Sequence, residues 1–217
     1  MKIEHTKVYN FENAMRGMRN PLESWDKNDS TETTIGENDL ELAQRLLRAG
    51  SDHAKFMRQI FVSCDFTLPL YVFKELDTYK VATVANSTST MHTLQRHNIQ
   101  PDFFEIDEDS LPLIVSETMI THGEMHELTV SDIWEDIIAG LEMLRSKYIE
   151  TGDKRYWRAL NQLLPQGWLQ TRTWTANYAT LRNIYFARKD HKLKEWHEIC
   201  EWIESLPYAE ELICYRG

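Results

Sequence analysis

The stretch "LLPQGWLQTRTWTANYATLRNIYFAR", residues 163–188, is the most informative part of this sequence. Its second half, residues 175–188, has the pattern of a helix. Asn177 and Arg188 are eleven residues apart, so they share one helix face at a separation of about 16 Å along the axis. Asn183 points about a third of a turn away from them. The three polar residues therefore suit two ligands or one elongated ligand; alternatively, they are solvated residues of an amphipathic helix.

A second informative stretch is "GSDHAKFMRQIFVSCDFTLPLYVFKELDTYK", residues 50–80. Apolar side chains alternate there with Ser63 and Asp65, which predicts a half-buried strand that ends at Pro69. The apolar positions of this strand are Ile60, Val62, Cys64 and Phe66. Residues 70–76 then have helical spacing. His53 precedes the strand, where a lone histidine is usually structural.

The remaining elements are mostly helical. Residues 38–50 predict a helix that is capped by Asn38 or Asp39 and ends at Gly50. Residues 131–150 predict a longer helix with Ser131 as its N-cap. Because the strands lie early and the helices late, we expect an α+β fold, an antiparallel sheet flanked by helices, rather than a doubly wound parallel sheet. Two further helices are predicted over residues 154–164 and 194–206, and the 217 residues suit a single domain, 1–217.

Composition narrows the function classes. The net charge of −10 argues against broad nucleic-acid binding, which needs a positive face. No apolar run approaches the length of a membrane span, and the N-terminus has no apolar signal core, so a cytoplasmic protein is expected. Three scattered cysteines indicate reduced thiols. His122 and His126 have the spacing of helical zinc ligands, but no third ligand accompanies them, and we predict no metal site.

The segment "DTYKVATVANSTSTMH", residues 77–92, is dense in small hydrogen-bonding side chains. Taken alone, such a run is typical of a capped turn or of a polar strand edge. The alternative is a loop whose hydroxyls and backbone amides bind an anion. The residues themselves leave both interpretations open.

Taken in order, these segments resemble the flavin-dependent thymidylate synthases. Residues 163–188 are similar to the family's C-terminal signature, in which an LP pair is followed by a W-T-x-N motif and a helix. Residues 50–80 are similar to the family's segment in which a histidine leads into a strand, a proline and a short helix. The resemblance covers roughly residues 10–92 and 131–205, and the insert between these ranges is not matched.

The resemblance also gives the hydroxyl-rich segment a role. It takes the place of the family motif Arg-His-Arg-x-x-Ser-x-Asn-Glu-x-Ser-x-Arg-Tyr, which grips flavin and nucleotide phosphates. Here the motif is changed at most positions, and one extra residue precedes its Asn. The counterparts are Thr78, Tyr79 and Lys80 for Arg-His-Arg, Thr83 for the first Ser, Asn86 for Asn, Ser87 for Glu, Ser89 for the second Ser, and Met91 and His92 for Arg-Tyr.

Site residues follow from the resemblance in the same way. Glu75 stands where the family has a substrate-contacting Gln, Asn161 replaces an Arg while Arg158 lies one helical turn earlier, and Ala179 replaces another Arg. Arg188 and Ser89 are implied to be catalytic. The residues implied to bind the cofactor are His53, Tyr79, Lys80, Thr83, Asn177 and Asn183. Those implied to bind the substrate are Glu75, Asn86, Ser87, Ser89, Arg158 and Arg188.

The function that the resemblance implies is an FAD-dependent thymidylate synthase-like methyltransferase. Such an enzyme converts dUMP to dTMP by reductive methylation, with methylenetetrahydrofolate and NADPH as co-substrates, and needs no cysteine nucleophile. The family forms homotetramers with sites shared between chains. Because several motif arginines are replaced, two alternatives stay open: a homologue that binds flavin or nucleotide without turnover, and an enzyme that modifies another pyrimidine nucleotide. Neither nucleic acid nor a membrane is an expected partner.

Overall fold

A computed structural model describes residues 1–121 and 124–216, with side chains described for all of these except 117–121 and 124–126. The pair His122 and His126 therefore lies outside the described side chains. The chain forms two compact units. The first comprises Met1–Thr67, Val72–Ser87 and Thr171–Gly217, and the second comprises Leu68–Tyr71 and Thr88–Gln170.

Helices and strands follow one another without regular alternation. The strands are β1 Lys2–Tyr9, β2 Phe61–Pro69, β3 Val84–Ser87, β4 Ile114–Thr121, β5 Glu124–Thr129 and β6 Leu169–Asn177. The helices are α1 Phe11–Met18, α2 Glu37–Ala49, α3 Leu70–Leu76, α4 Thr90–Thr93, α5 Val130–Thr151, α6 Lys154–Gln162, α7 Tyr178–Arg188 and α8 Lys194–Glu204, and a π-helical turn covers Ala209–Ile213. Among the described residues, no helix is both long and apolar enough to span a membrane.

A four-stranded antiparallel sheet, with the order β1-β2-β6-β3, is the frame of the first unit. Hydroxyl groups pair across β2 and β6: Thr173 donates to Asp65 at 2.6 Å, and the Thr67 and Thr171 hydroxyls are 2.8 Å apart. These polar side chains share one face, while the opposite face buries apolar ones because side chains alternate along a strand. The buried residues of that apolar face include Val62, Cys64, Phe66, Trp174 and Ala176.

The sheet confirms the α+β prediction and corrects it in detail. β2 and α3 lie where their patterns predicted them. In contrast, β1 and β6 were not predicted, and residues 175–177 belong to β6 rather than to the following helix. The alternation of Thr173 and Thr175 with buried Trp174 is the signal for β6, but it is short and runs directly into the helical pattern. Strands therefore occur both early and late in the chain.

Helix starts also differ from the predicted caps. α2 begins after Gly36, where a Cβ atom would lie 2.2 Å from the side chain of Asp29, so that only glycine fits. α5 begins after Thr129, whose hydroxyl accepts a hydrogen bond from the Asp132 backbone N–H while the Asp132 carboxylate accepts from the Thr129 backbone. This reciprocal arrangement is a capping box and replaces the predicted cap at Ser131.

The polar loop between residues 24 and 39 is fastened by a single buried carboxylate. Arg19 donates to Asp39 at 2.5 Å, and the exposed fractions of the two side chains are 4% and 0%. The other oxygen of Asp39 accepts from the side chains of Asn28 and Ser30. The loop is thereby held against the start of α2.

The second unit contains the hairpin of β4 and β5 together with α5 and α6. Its core is a cluster of apolar side chains that includes residues of the stretch 93–130, which the sequence resemblance left unmatched. Arg145 on α5 pairs with Glu142 at 2.7 Å and also donates to Asn98, which fastens the loop after α4. The buried members of the cluster are Leu94, Ile99, Phe104, Leu141 and Leu160.

Candidate functional site

A cavity of about 590 Å³ in the first unit is lined by two of the predicted cofactor residues, Asn177 and Asn183. Its walls come from the turn after α2, the loop before β3 and the first half of α7. Asn177 and Asn183 line it together with Ser51, Arg58 and Val81. The predicted pair of asparagines thus faces one space, although the two residues are six positions apart.

Asn177 is buried, with an exposed fraction of 1%. Its Oδ1 accepts a hydrogen bond from the backbone N–H of Thr180 at 2.9 Å and so caps α7. The Thr180 hydroxyl in turn donates to the Val81 carbonyl at 2.9 Å, which holds the loop against the helix. Within residues 1–121 and 124–216, no group bonds the amide nitrogen of Asn177. This N–H₂ group is available to a ligand in the cavity.

The electrostatic character of the cavity is positive. Arg58 is exposed at its rim, and Arg182 lines it while donating hydrogen bonds to the backbone carbonyls of Leu212, Ile213 and Tyr215. Burial lowers the pKa of Arg182 from its usual range, yet a guanidinium stays charged at neutral pH. None of the described residues lining the cavity is acidic. The cavity therefore favours an anionic ligand.

His53 lies in the turn after α2, between cavity residues Ser51 and Ala54. Its side chain is exposed, and only its backbone N–H has a partner among the described groups, the Gly50 carbonyl. The structure therefore brings His53 to the edge of the cavity without a structural hydrogen bond for its ring.

A second constellation surrounds Arg188 at the end of α7. Its Nη1 lies 2.7 Å from Oε2 of Glu75, and its Nε donates to the Tyr79 hydroxyl at 3.0 Å. The Trp196 indole N–H donates to the same Glu75 oxygen at 3.0 Å, and the guanidinium carbon lies 4.7 Å from the Trp196 ring centre. Two predicted substrate residues, Glu75 and Arg188, thus form an ion pair, and the predicted cofactor residue Tyr79 supports it.

Sequence reasoning missed this ion pair. Glu75 lies on α3 and Arg188 on α7, and no local pattern connects residues so far apart in the chain. A signal was present nonetheless. By the resemblance, Glu75 stands where the family has a neutral glutamine while Arg188 is retained, so the sequence offers a negative charge that Arg188 could pair with.

Some side chains of the hydroxyl-rich segment donate hydrogen bonds to nearby backbone carbonyls. Thr78 donates to the Glu75 carbonyl at 2.7 Å, and Thr83 donates to the Tyr79 carbonyl at 2.8 Å. These contacts agree with the interpretation as a capped turn. Thr83 and the exposed Lys80 also line a depression of about 370 Å³ next to Trp174.

Asn86 and Ser87 lie on the exposed edge strand β3, opposite Thr173 and Arg172 of β6. In this position their side chains do not line the cavity that contains Asn177. Their predicted role in substrate binding stays a prediction.

Ser89 and Arg158 belong to the second unit. Ser89 precedes the short helix α4, and its carbonyl accepts from the Thr93 hydroxyl. Arg158 is exposed on α6, and the neighbouring Trp157 donates to the Met91 carbonyl at 3.3 Å. The structure therefore holds the segment after Ser89 against the helix that carries Arg158.

The three cysteines are free, and their environments disfavour thiolates. Burial raises the pKa of Cys200 to about 11. Burial, together with the neighbouring charge of Asp65, raises the pKa of Cys64 still further, and burial also raises the pKa of Cys214. A nucleophilic cysteine needs a lowered pKa.

In the described part of the chain, no group of three or more His, Cys, Asp or Glu residues is arranged to hold a metal ion.

Comparison with known proteins gives the class of this fold. No protein-family model matches the sequence, and no curated protein matches it. Solved structures do match along the whole chain, and their fold is that of the flavin-dependent thymidylate synthases. The resemblance predicted from the sequence is thus confirmed for the fold.

Three of these structures illustrate the similarity. A flavin-dependent thymidylate synthase of Helicobacter pylori, in complex with FAD and dUMP, is 17% identical over 98% of both chains with a TM-score of 0.68. A second structure of thymidylate synthase X from Helicobacter pylori, also with FAD and dUMP, is 18% identical over 100% of both chains, again with a TM-score of 0.68. A UMP/dUMP methylase from Streptomyces cacaoi, bound with 5-bromo-dUMP, is 14% identical over 98% of this chain and 94% of its own, with a TM-score of 0.62.

Proposed function

We propose that this chain is an FAD-dependent enzyme that methylates dUMP reductively to dTMP, with methylenetetrahydrofolate and NADPH as co-substrates. The fold supports the proposal, because it is shared with thymidylate synthases solved with FAD and dUMP and with a UMP/dUMP methylase. The observation that carries it is Asn177, a buried side chain whose amide nitrogen is unpaired at a positively charged cavity. The helix cap already holds this side chain in one orientation, so a ligand acceptor in the cavity can pair with its N–H₂ group without ordering it further.

The residues of the cavity fit FAD. Asn177, Asn183 and Ser51 offer hydrogen bonds to the carbonyls and ring nitrogens of a flavin, and His53 stands at the edge. Arg58 supplies positive charge for the phosphates. When bound there, FAD would supply hydride transfer, while the protein supplies position and electrostatics.

The ion pair of Glu75 and Arg188 is the proposed base-binding element. Contacts to Glu75 and to the Tyr79 hydroxyl hold the guanidinium of Arg188 in one orientation. A guanidinium is always charged and donates in a planar fork, so it can orient a pyrimidine ring and stabilise negative charge that develops on it. In this proposal Ser89 contributes a hydroxyl to the reacting nucleotide.

The side chains available to bind phosphate are the ones that differ most from the family motif. We propose that Lys80 and Thr83 contribute to the cofactor side, and that Asn86, Ser87, Ser89 and Arg158 contribute to the nucleotide side. Hydroxyl and amide groups bind an anion more weakly than paired guanidinium groups do. A different pyrimidine nucleotide as the true substrate is therefore the second candidate function, and the altered charge at Glu75 favours it over loss of turnover.

The raised pKa values of the cysteines support a mechanism without a thiolate nucleophile.

We also propose a homotetramer. Consecutive apolar side chains on the second unit, Leu113, Ile114 and Val115, are each more than half exposed, and assembly would cover them.

The test is anaerobic stopped-flow spectroscopy of the FAD-loaded, reduced protein. Addition of dUMP and methylenetetrahydrofolate together should oxidise the flavin, and omission of either one should prevent it. A protein that binds FAD but shows no nucleotide-dependent oxidation would contradict the proposed reaction.

A further inference from the structure

Two N–H groups contact one oxygen atom of Glu75, and a third lies farther from it. Arg188 Nη1 lies 2.7 Å from Oε2, Trp196 Nε1 lies 3.0 Å from it, and His191 Nε2 lies 3.7 Å from it. The Leu193 backbone N–H donates to His191 Nδ1, so the ring proton of neutral His191 is on Nε2. Arg188 and Trp196 therefore require an acceptor at the position of Oε2, whereas the N–H of His191 lies just beyond hydrogen-bonding distance.

One oxygen of Glu75 and one nitrogen of Arg188 have no hydrogen-bond partner among the described residues. Among the described residues, no side chain or backbone group bonds Oε1 of Glu75 or Nη2 of Arg188. The side chain of Glu75 is 35% exposed and that of Arg188 is 20% exposed, so a ligand can approach the pair from solvent. The pair consequently presents one acceptor and one donor to a ligand.

We infer that Glu75 is the residue that selects the base of the nucleotide. Its Oε1 accepts a hydrogen bond from an N–H of the base, and Arg188 Nη2 donates to the adjacent carbonyl or ring nitrogen. The inference rests on the proposed function, since it takes a pyrimidine nucleotide as the ligand. Uracil offers this pattern at N3–H next to a carbonyl, and cytosine offers it at the 4-amino group next to N3.

The carboxylate matters because an amide cannot replace it without reversing the pattern. A glutamine at position 75 must keep its carbonyl oxygen towards the donors of Arg188 and Trp196, because its NH₂ group would meet other N–H groups there. The NH₂ group then occupies the position of Oε1. The open atom changes from an acceptor to a donor.

Uracil and cytosine respond to that change in opposite directions. N3 carries a hydrogen in uracil and a lone pair in cytosine, whereas position 4 carries a carbonyl in uracil and an amine in cytosine. Whichever ring position faces Oε1 of Glu75, the base preferred by the native protein is disfavoured by Glu75→Gln. A site built for one hydrogen-bonding pattern rejects the reversed one by about tenfold or more.

The experiment measures the dissociation constants of dUMP and dCMP by isothermal titration calorimetry with the FAD-loaded protein. The ratio of the two constants should shift by about tenfold or more in Glu75→Gln and change its preferred base. Glu198→Gln is the control, because Glu198 is exposed on α8 and its change removes the same charge. Its ratio should equal that of the native protein. A native preference for dUMP places N3–H at Glu75, and a preference for dCMP places the 4-amino group there.

An unchanged ratio in a folded Glu75→Gln protein would overturn the inference while leaving the proposed function intact. Binding of neither nucleotide by the native protein would overturn both. If the variant does not fold, the role of Glu75 is tested by measuring how methylated nucleotides bind to the native protein. The N3-methyl form of dUMP or the N4-dimethyl form of dCMP, whichever matches the preferred base, should bind about tenfold or more weakly, and equal binding refutes the role of Glu75.

Discussion

The side-chain oxygen of Asn177 accepts a hydrogen bond from the backbone N–H of Thr180, which leaves its amide nitrogen available to a ligand in the cavity. One side chain therefore both starts α7 and offers a donor to a ligand. The two roles use different atoms, and substitutions can separate them.

The first prediction uses this separation. Asn177→Asp keeps the capping oxygen but loses the donor, so stability should hold while FAD affinity falls by about 1–3 kcal/mol. Asn177→Ala should lose the same affinity and, in addition, about 1 kcal/mol of stability. Quenching of flavin fluorescence and urea unfolding measure the two quantities. Full FAD affinity in a folded Asn177→Asp protein would show that this amide does not contact the cofactor.

The second prediction concerns Arg188. Its ion pair with Glu75 is partly solvated, so Arg188→Ala should change the melting temperature and FAD affinity little. Nucleotide-dependent oxidation of reduced flavin should fall by about a hundredfold or more, as expected for loss of a preorganised electrostatic contact. Arg188→Lys should not restore the rate, because lysine lacks the planar fork. Equal rates for Arg188→Ala and the native protein in anaerobic stopped-flow would exclude Arg188 from the reaction.

The third prediction tests the buried pair of Arg19 and Asp39. Asp39→Ala leaves the buried guanidinium of Arg19 without its counter-charge and frees the loop that Asn28 and Ser30 anchor. Unfolding in urea should show a loss of about 3–5 kcal/mol. The exposed Asp52 provides the matched control, since Asp52→Ala should stay within about 0.5 kcal/mol of the native protein. A loss for Asp39→Ala as small as that of the control would contradict this reading of the pair.

The fourth prediction follows from the thiol pKa values. Cys200 is buried with a pKa of about 11, so its reactive thiolate is scarce below that pH and increases as the pH rises towards it. Iodoacetamide at pH 8 should therefore label Cys200 and Cys64 far more slowly in the native protein than in urea. Peptide mass spectrometry measures the labelling at each site. Rapid native labelling of either residue at pH 8 would mean that its thiol is activated.

The fifth prediction concerns assembly. Multi-angle light scattering should give the mass of four chains of 25.7 kDa each. Replacing the exposed Ile114 and Val115 by Ser should weaken the tetramer if this patch is covered in it, because apolar burial drives association. A native protein that is monomeric at micromolar concentration would argue against sites shared between chains.

Local patterns in the sequence were sufficient to predict several helices and one strand of this fold. The alternation before Pro69 predicts β2, and the 3.6-residue period predicts α5 and the helix that ends at Arg188, because these signals depend only on neighbouring residues. The segments 50–80 and 163–188, taken in order, also carried a resemblance that the fold confirms. Sequence reasoning thus reached the fold class and a set of candidate site residues.

Tertiary structure decided the features that depend on distant partners. β1 became a strand by pairing with β2, about sixty residues away. Glu75 became the counter-charge of Arg188 because α3 and α7 meet. N–H groups of Arg188 and Trp196 contact one of its oxygens, and the other oxygen stays open. The physical reason is that strand pairing, ion pairing and the satisfaction of buried donors are set by distances in space, whereas periodicity and capping are set by distances along the chain.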